Sequence, residues 1–265
     1  MKLEMAQIKA LVLRAAGINC DLETEHALRV AGAAAERLHI NAVMTDKKIL
    51  HNFHILVFPG GFSYGDDVAA GKILANQIVH HLSETLIRFA ADGKLILGIC
   101  NGFQVLVKCG LLPFNEIGRP GTRVTITYND SGKFEDRWVY LRPQTTRCVF
   151  IENGRQIYLP VAHGEGKVAA VDQATVKELD SGGYIAFKYV DEDGNEDTYP
   201  VNPNGSAASI AGLTDATGRV LGLMPHPERF MHPTQHPRFT RLDSGPDPDG
   251  MTIFRNAVSY AEQNL

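Results

Sequence analysis

The chain has little of what marks the specialised protein classes. Its 265 residues include only four cysteines, at positions 20, 100, 109 and 148, and no two of them form a Cys-x-x-Cys pair. That spacing argues against a zinc knuckle and against the disulfide framework of small secreted domains. No apolar run approaches the roughly 20 residues needed to span a bilayer. The opening Met1-Lys-Leu-Glu-Met-Ala-Gln7 lacks the apolar core of a secretory signal. Neither sign of charge dominates: 26 Lys and Arg against 30 Asp and Glu leave a net charge of −4, with no basic footprint for nucleic acid or an anionic membrane. Internal repeats and low-complexity tracts are missing too. What remains, 44% hydrophobic and 21% charged residues, is the composition of an ordinary globular enzyme. These features predict a reduced, cytoplasmic protein with no membrane or nucleic-acid partner.

The first half of the chain alternates strand and helix patterns. Residues 8–13 predict a buried strand, and 20–34 a helix with Asp21 and Glu23 early and Leu22, Ala27, Val30, Ala31 and Ala34 as its apolar set. Residues 55–58 form a second apolar run, stopped by Pro59-Gly60-Gly61. A helical pattern over 68–91, broken near Ser83, leads to a strand at 95–99 and a helix after Cys100, where Phe103, Leu106, Val107 and Gly110 keep i, i+3, i+4, i+7 spacing. Such alternation predicts an α/β fold with a parallel sheet covered on both faces and ligands at the carboxyl ends of its strands. After Pro113 the runs are shorter and β-like, at 124–128, 138–141, 157–159 and 185–189. They are followed by a buried strand at 220–224 and a closing helix at 251–263. The intervening 225–248 segment, rich in Pro, His and Asp, reads as a long functional loop. The whole of 1–265 is expected to be one domain.

Three strand ends carry chemistry. In Leu95-Ile-Leu-Gly-Ile-Cys100-Asn-Gly-Phe-Gln104 the cysteine stands where a strand gives way to a helix, so the thiol is thrust out of the sheet. The helix N-terminus behind it favours thiolate over thiol, as in a nucleophile elbow. In Met224-Pro-His226-Pro-Glu228 the residue before each proline is extended. His226 and Glu228, two apart, can therefore face one site and act as base and orienting carboxylate for a thiol. In Phe58-Pro-Gly60-Gly61 the glycines let backbone N–H groups approach a ligand. Opposite Cys100, the N–H groups of Gly61 and Asn101 would make an oxyanion hole. Gln104, one helical turn beyond Cys100, is placed to touch a substrate.

These three segments, in this order, resemble the class I (triad) glutamine amidotransferases. Pro59-Gly-Gly-Phe-Ser-Tyr-Gly-Asp66, Cys100-Asn-Gly-Phe-Gln104, Pro160-Val-Ala-His163-Gly164-Glu165-Gly166 and Asn204-Gly-Ser206 leading to Ile210-Ala-Gly212 are, more narrowly, similar to the glutaminase component of phosphoribosylformylglycinamidine synthase. The likeness runs from Asn19-Cys20-Asp21 to Arg229. It implies a flavodoxin-like three-layer sandwich with a mainly parallel central sheet and added strands. It also implies a Cys100–His226–Glu228 triad that splits glutamine through a thioester. Substrate contacts would come from Gly60, Gln104, His163, Gly164 and Glu165, with no metal or cofactor in this chain. Ammonia would pass to a synthetase partner that holds ATP and Mg2+, with or without a small bridging subunit. Two departures stand out. The chain is longer than the typical stand-alone subunit, and Phe134-Glu-Asp-Arg-Trp-Val139 resembles the glutaminase end of the single-chain enzyme. We read the chain as stand-alone.

Plainer readings stand beside these. Cys20, Cys109 and Cys148 are expected to be structural, and Asp66-Asp67 a solvated helix start. His232 and His236 lack the companions of a metal site. The competing functions are an amidotransferase subunit of another pathway, a cysteine peptidase or DJ-1-like deglycase on a similar fold, and a binding module with a dead site. Intact Cys, His and Glu argue against the last.

Overall fold

The computed structural model describes residues 7–119, 121–241 and 247–265. Its first half contains β1 (Lys9–Arg14), α1 (Asp21–Val30), β2 (Ala34–His39), α2 (Ile40–Thr45), β3 (Ile55–Phe58), α3 (Lys72–His81), α4 (Ser83–Ala91), β4 (Leu95–Ile99) and α5 (Asn101–Lys108). The second half adds β5 (Val124–Thr127), β6 (Glu135–Pro143), β7 (Ile157–His163), β8 (Lys167–Ala170), α6 (Gln173–Ser181), β9 (Ile185–Val190), β10 (Ile210–Thr214), β11 (Val220–Leu223) and α7 (Asp249–Asn264). Nine strands form one sheet in the order β2-β1-β3-β4-β11-β10-β9-β6-β7, and β5 pairs with β8 apart from it.

The half of the sheet from β2 to β11 is parallel, and the added half from β10 to β7 is antiparallel. Every residue of β3, β4 and β11 is buried. Because successive side chains of a strand point to opposite faces, this means that both faces are covered. Helix α1 packs on α7, while α3 packs on α4 and α5. This is the three-layer, mainly parallel flavodoxin-like architecture that the resemblance implies. The parallel strands end on one edge. In chain order, that edge carries Cys20 after β1, Gly60 after β3, Cys100 after β4 and His226 after β11.

Several boundaries differ from the sequence reading. The helix expected over 20–34 stops at Val30, and Ala34 begins the edge strand β2, paired to β1. Alanine-rich Ala-Ala-Glu-Arg-Leu-His carries no strand propensity of its own, and its pairing decides it. Leu22 and Val30, read as apolar-face residues of α1, are exposed, while Asp21 and Glu25 are buried. These carboxylates are tolerated because arginines meet them: Arg14 and Arg37 reach Asp21 at 2.8 and 2.9 Å, and Arg29 reaches Glu25 at 2.8 Å. The helix expected from 68 starts only at Lys72, after Gly71 at φ 73°, and its break falls between His81 and Ser83. The 225–248 segment holds 3-10 turns at Pro227–Arg229, Pro233–Gln235 and Phe239–Arg241, and 242–246 lie outside the described residues. Among the described residues no helix is long and apolar enough to cross a membrane.

Candidate active site

Cys100 sits at φ 49°, ψ −106°, between the last residue of β4 and the first of α5. A left-handed φ on a non-glycine residue is strained and is kept only where packing enforces it. Here β4 is buried at every residue, α5 at all but Lys108, and the turn between them has no room to relax. The thiol lies against β7, 3.7 Å from the Ala162 carbonyl, to which it donates.

His226 and Glu228 follow β11, the strand paired directly with β4 through Leu223 and Ile99. The His226 N–H donates to the Pro160 carbonyl at 2.8 Å, which fixes the extended segment against β7. His226 Nδ1 lies 2.5 Å from Glu228 Oε1, and both side chains are almost wholly buried. Burial alone would lower the imidazole's pKa. The Glu228 carboxylate and the Cys100 sulfur outweigh it and raise His226 well above its ordinary value. With Nδ1 engaged by the carboxylate, Nε2 faces away from it and has no hydrogen-bond partner among the described residues.

Cys100, Gly61, Gln104, His163, Gly164 and Glu165 all line one cleft of about 260 Å3. His226 and Glu228 do not line it; they lie buried beside the thiol. Gly60 faces that pair instead of the cleft. A side-chain carbon there would stand 2.8 Å from His226 Cε1 and 3.2 Å from Cys20 Sγ. At Gly61 the same position is filled by Ile18 and Asn19. The two glycines are thus required by the 17–20 loop and His226 packing on them, a reason the sequence did not reveal.

The remaining expected contacts are engaged with one another. Gln104 Nε2 donates to the Glu165 carbonyl at 2.5 Å, and its Oε1 accepts from Asn101 Nδ2 at 3.0 Å. Asn101 Oδ1 in turn accepts the Ser63 N–H. The Glu165 carboxylate turns inward, accepting from the Ala70 N–H at 3.1 Å and facing Lys108 Nζ at 3.4 Å, in a pair less than a tenth exposed. Burial lowers the Lys108 ammonium, and Glu165 pulls it back. Glu165 therefore ties the 163–166 turn to the 69–71 turn. Removing one member of a buried pair strands the other charge. Glu165→Ala is expected to lower unfolding stability by about 3 kcal/mol and to raise the KM for substrate, while Glu165→Gln, which keeps the acceptor for Ala70, loses less. Urea denaturation of both variants measures the difference.

His163 pairs through Nδ1 with Asn129 Oδ1 at 3.1 Å, and that oxygen also accepts the Gly166 N–H at 2.9 Å. An oxygen that only accepts requires the proton on Nδ1, so Nε2 carries the bare lone pair. Burial, followed by the charge of His226, pushes His163 down to about 4. The folded imidazole binds its proton less tightly than an unfolded one near 6.5, so the unfolded state gains protons between those values and stability falls with pH in that window. From pH 7 to pH 5 the chain should lose about 2 kcal/mol more than His163→Gln does, as read by urea midpoints at the two pH values. Equal slopes would refute the buried neutral imidazole.

Sequence reasoning missed four participants. Asn129 donates to the His163 carbonyl at 2.8 Å and so supports the 163–166 turn from β5's end. Lys108 pairs with Glu165. Cys20, read as structural, lies with its sulfur within 4.8 Å of His226 and Glu228 donor atoms. Arg229 donates to that sulfur at 3.2 Å. A cysteine at a strand end, in Asn19-Cys20-Asp21, was the available signal. Asp66 is not a solvated helix start: its carboxylate accepts the Gly71 N–H at 3.3 Å and lines the cleft, and burial raises its pKa. Cys109 and Cys148 are buried, and burial pushes both thiols up to about 12. His236 packs among the Trp138, Tyr158 and Phe230 rings. Cys20, His226 and Glu228 form a donor set that suits zinc, but Nδ1 is bonded to Oε1 and the sulfur accepts from a guanidinium.

A cysteine at a strained elbow beside a buried His–Glu pair, on a flavodoxin-like sheet, defines a cysteine-dependent amidotransferase class. The sequence pattern of the CobB/CobQ-like glutamine amidotransferase domain matches residues 7–261, and the chain belongs to that family, in its PurQ branch. It is 46% identical to the phosphoribosylformylglycinamidine synthase subunit PurQ of Dehalococcoides mccartyi, over 98% of this chain and 100% of that one. It is 41% identical to the same subunit of Methanococcus maripaludis, over 95% and 97%. The length that set it apart from typical subunits is thus shared by these relatives. A chain of the PurLQS structure from Thermotoga maritima superposes with a TM-score of 0.72 at 31% identity, covering 96% of this chain and 99% of that one. A Thermotoga maritima glutamine amidotransferase at 13% identity and a TM-score of 0.56 shares the fold.

Proposed function

We propose that this chain is the glutaminase subunit of a phosphoribosylformylglycinamidine synthase, working as a single amidotransferase domain in the cytoplasm. Cys100 Sγ attacks the side-chain amide carbon of glutamine. The amide C–N bond breaks, a γ-glutamyl thioester forms, and the nitrogen leaves as ammonia with a proton from His226 Nε2. Water, losing its proton to the same nitrogen, then cleaves the thioester to glutamate and returns the thiol. Glu228 holds the imidazole and supports its charge. The N–H groups of Gly61 and Asn101 receive the developing oxyanion. The 163–165 backbone and Gln104 shape the end of the cleft that takes the amino-acid group, and Gly60 acts by letting His226 approach.

The observation that carries this reading is the meeting of Cys100 and the His226–Glu228 pair on neighbouring parallel strands, at a cleft lined by Gly61 and the 163–165 turn. The relatives' shared subunit name supports the pathway. Ammonia would be consumed on a synthetase partner holding ATP and Mg2+, and the PurLQS neighbour supports a third, small subunit in the assembly. In the isolated chain the Cys100 thiol points to the Ala162 carbonyl, which supports weak activity until the partner docks.

The test is glutamine-dependent formation of formylglycinamidine ribonucleotide with and without the synthetase. The expected result is turnover only with both subunits, and low glutamine hydrolysis by the chain alone. Ammonia-dependent synthesis that glutamine cannot replace would overturn the reading.

A further inference from the structure

Asn19-Cys20-Asp21 has no part in the reaction just described, yet it is built into the same edge of the sheet. Asp21 begins α1 and is held by Arg14 and Arg37, and the Cys20 N–H donates to the Gly60 carbonyl at 3.2 Å. Cys20 is 1% exposed. Its thiol donates to Asn19 Oδ1 at 3.3 Å, which places the proton on the Asn19 side. The sulfur then accepts from Arg229 Nη2 at 3.2 Å, while Arg229 N–H closes the turn onto the His226 carbonyl at 3.3 Å.

Arg229 adjoins Glu228 in the chain and shares its surroundings. When the Cys100 proton passes to His226 during the reaction, the sulfur anion, the imidazolium and the Glu228 carboxylate together leave one uncompensated negative charge in a buried site, which is costly. A guanidinium beside them balances it. The residue that seats the guanidinium must accept an N–H without adding a negative charge. A carboxylate at position 20 would cancel Arg229, a valine could not hold it, and a thiol does the task. Burial lowers the Arg229 guanidinium, and the Cys20 sulfur, Glu228 and Cys100 outweigh it.

We propose that Cys20 and Arg229 are positioning residues of the reaction: Cys20, its S–H donated in a hydrogen bond to Asn19 Oδ1, seats the Arg229 guanidinium beside the His226–Glu228 pair as the fourth charge of the site. This rests on the glutaminase reading. Its test therefore includes a readout that needs no glutamine, the rate at which iodoacetamide alkylates Cys100, followed by mass spectrometry of the Cys100 peptide.

The full chain with its synthetase is compared as native, Cys20→Ser, Cys20→Val, Arg229→Gln and the double variant Cys20→Val/Arg229→Gln. Cys20→Val should lower kcat for glutamine hydrolysis about tenfold, the size of a coupling between groups in contact, with KM within about twofold. It should slow Cys100 alkylation to the same degree. Cys20→Ser, which keeps an acceptor, should recover most of the loss, and Arg229→Gln should match Cys20→Val. The double variant should fall no further than either single variant, because both remove one contact. Native alkylation and kcat in Cys20→Val, or losses that multiply in the double variant, would overturn the proposal. If Cys20→Val does not fold, Arg229→Gln and Cys20→Ser decide it by the same two rates. If the native assembly shows no glutamine turnover, the glutaminase reading fails, while the alkylation rates still judge the placement of Arg229.

Discussion

Cys100→Ser abolishes ammonia release from glutamine, by a thousandfold or more on the order seen when a nucleophile is removed, and leaves ammonia-dependent synthesis by the synthetase untouched. The reason lies in His226. With Glu228 2.5 Å away and the Cys100 sulfur alongside, the imidazole is raised well above its ordinary value, so it takes the Cys100 proton once the thiol turns from the Ala162 carbonyl. A serine hydroxyl is a far weaker acid than a thiol and does not surrender its proton to His226 in the same way, so the variant has no charged nucleophile. The site suits a sulfur that carries the negative charge itself and fails with an oxygen that keeps its proton. Glutamate formation in the full assembly measures the loss, and ammonium chloride replaces glutamine in the control. Retained glutamine hydrolysis in Cys100→Ser would refute the nucleophile. A parallel loss of ammonia-dependent synthesis would show that the substitution had disturbed docking.

How much of this was legible in the sequence depends on where each residue's conformation is decided. The strands at 55–58 and 95–99 were read to the residue, because each is a short apolar run buried on both faces and bounded by a glycine or a cysteine elbow. The three chemical segments were legible for the same reason, since they are the punctuation at the ends of those strands. Strand β2 was not, because Ala34–His39 is held by pairing to β1 and not by its own side chains. Strands β8 and β10 and helix α6 were missed in the turn-rich second half, where Lys167–Ala170 pairs with β5 apart from the nine-stranded sheet.

Within the site, residue types were legible and engagements were not. Gln104 and Glu165 were marked as substrate contacts from their spacing and motif. The fold also commits the Gln104 amide and the Glu165 carboxylate to bracing the 163–166 turn. That commitment depends on Lys108 and Ala70, which no local pattern links to them. Cys20 shows the limit most clearly. A lone cysteine before a helix reads as packing until β1 is known to lie beside β3, which brings the end of β1 to Gly60 and His226.

Gly102→Ala should be the most damaging substitution outside the reacting groups. Gly102 is the second residue of α5, and a side-chain carbon there would stand 1.8 Å from the Phe58 carbonyl oxygen and 2.5 Å from its carbon. Neither partner can yield cheaply. Phe58 ends a strand buried at every residue, and α5 is equally packed. Moving α5 carries the Cys100 elbow with it, and moving Phe58 carries Gly60 and Gly61, so relief on either side displaces part of the site. Overpacking of a rigid core costs about 3 kcal/mol, which at this chain length lowers Tm by roughly 5 °C. A displacement of about 1 Å between nucleophile and substrate lowers kcat about a hundredfold. Gly154→Ala is the matched control: among the described residues nothing lies within 4 Å of its added carbon, and its φ of 79° alone costs about 1 kcal/mol. Calorimetry on both variants, with glutamine turnover in the full assembly, separates the two. A Gly102→Ala chain that melts with the native protein and keeps its turnover would mean that helix α5 and strand β3 do not meet as closely as this elbow requires.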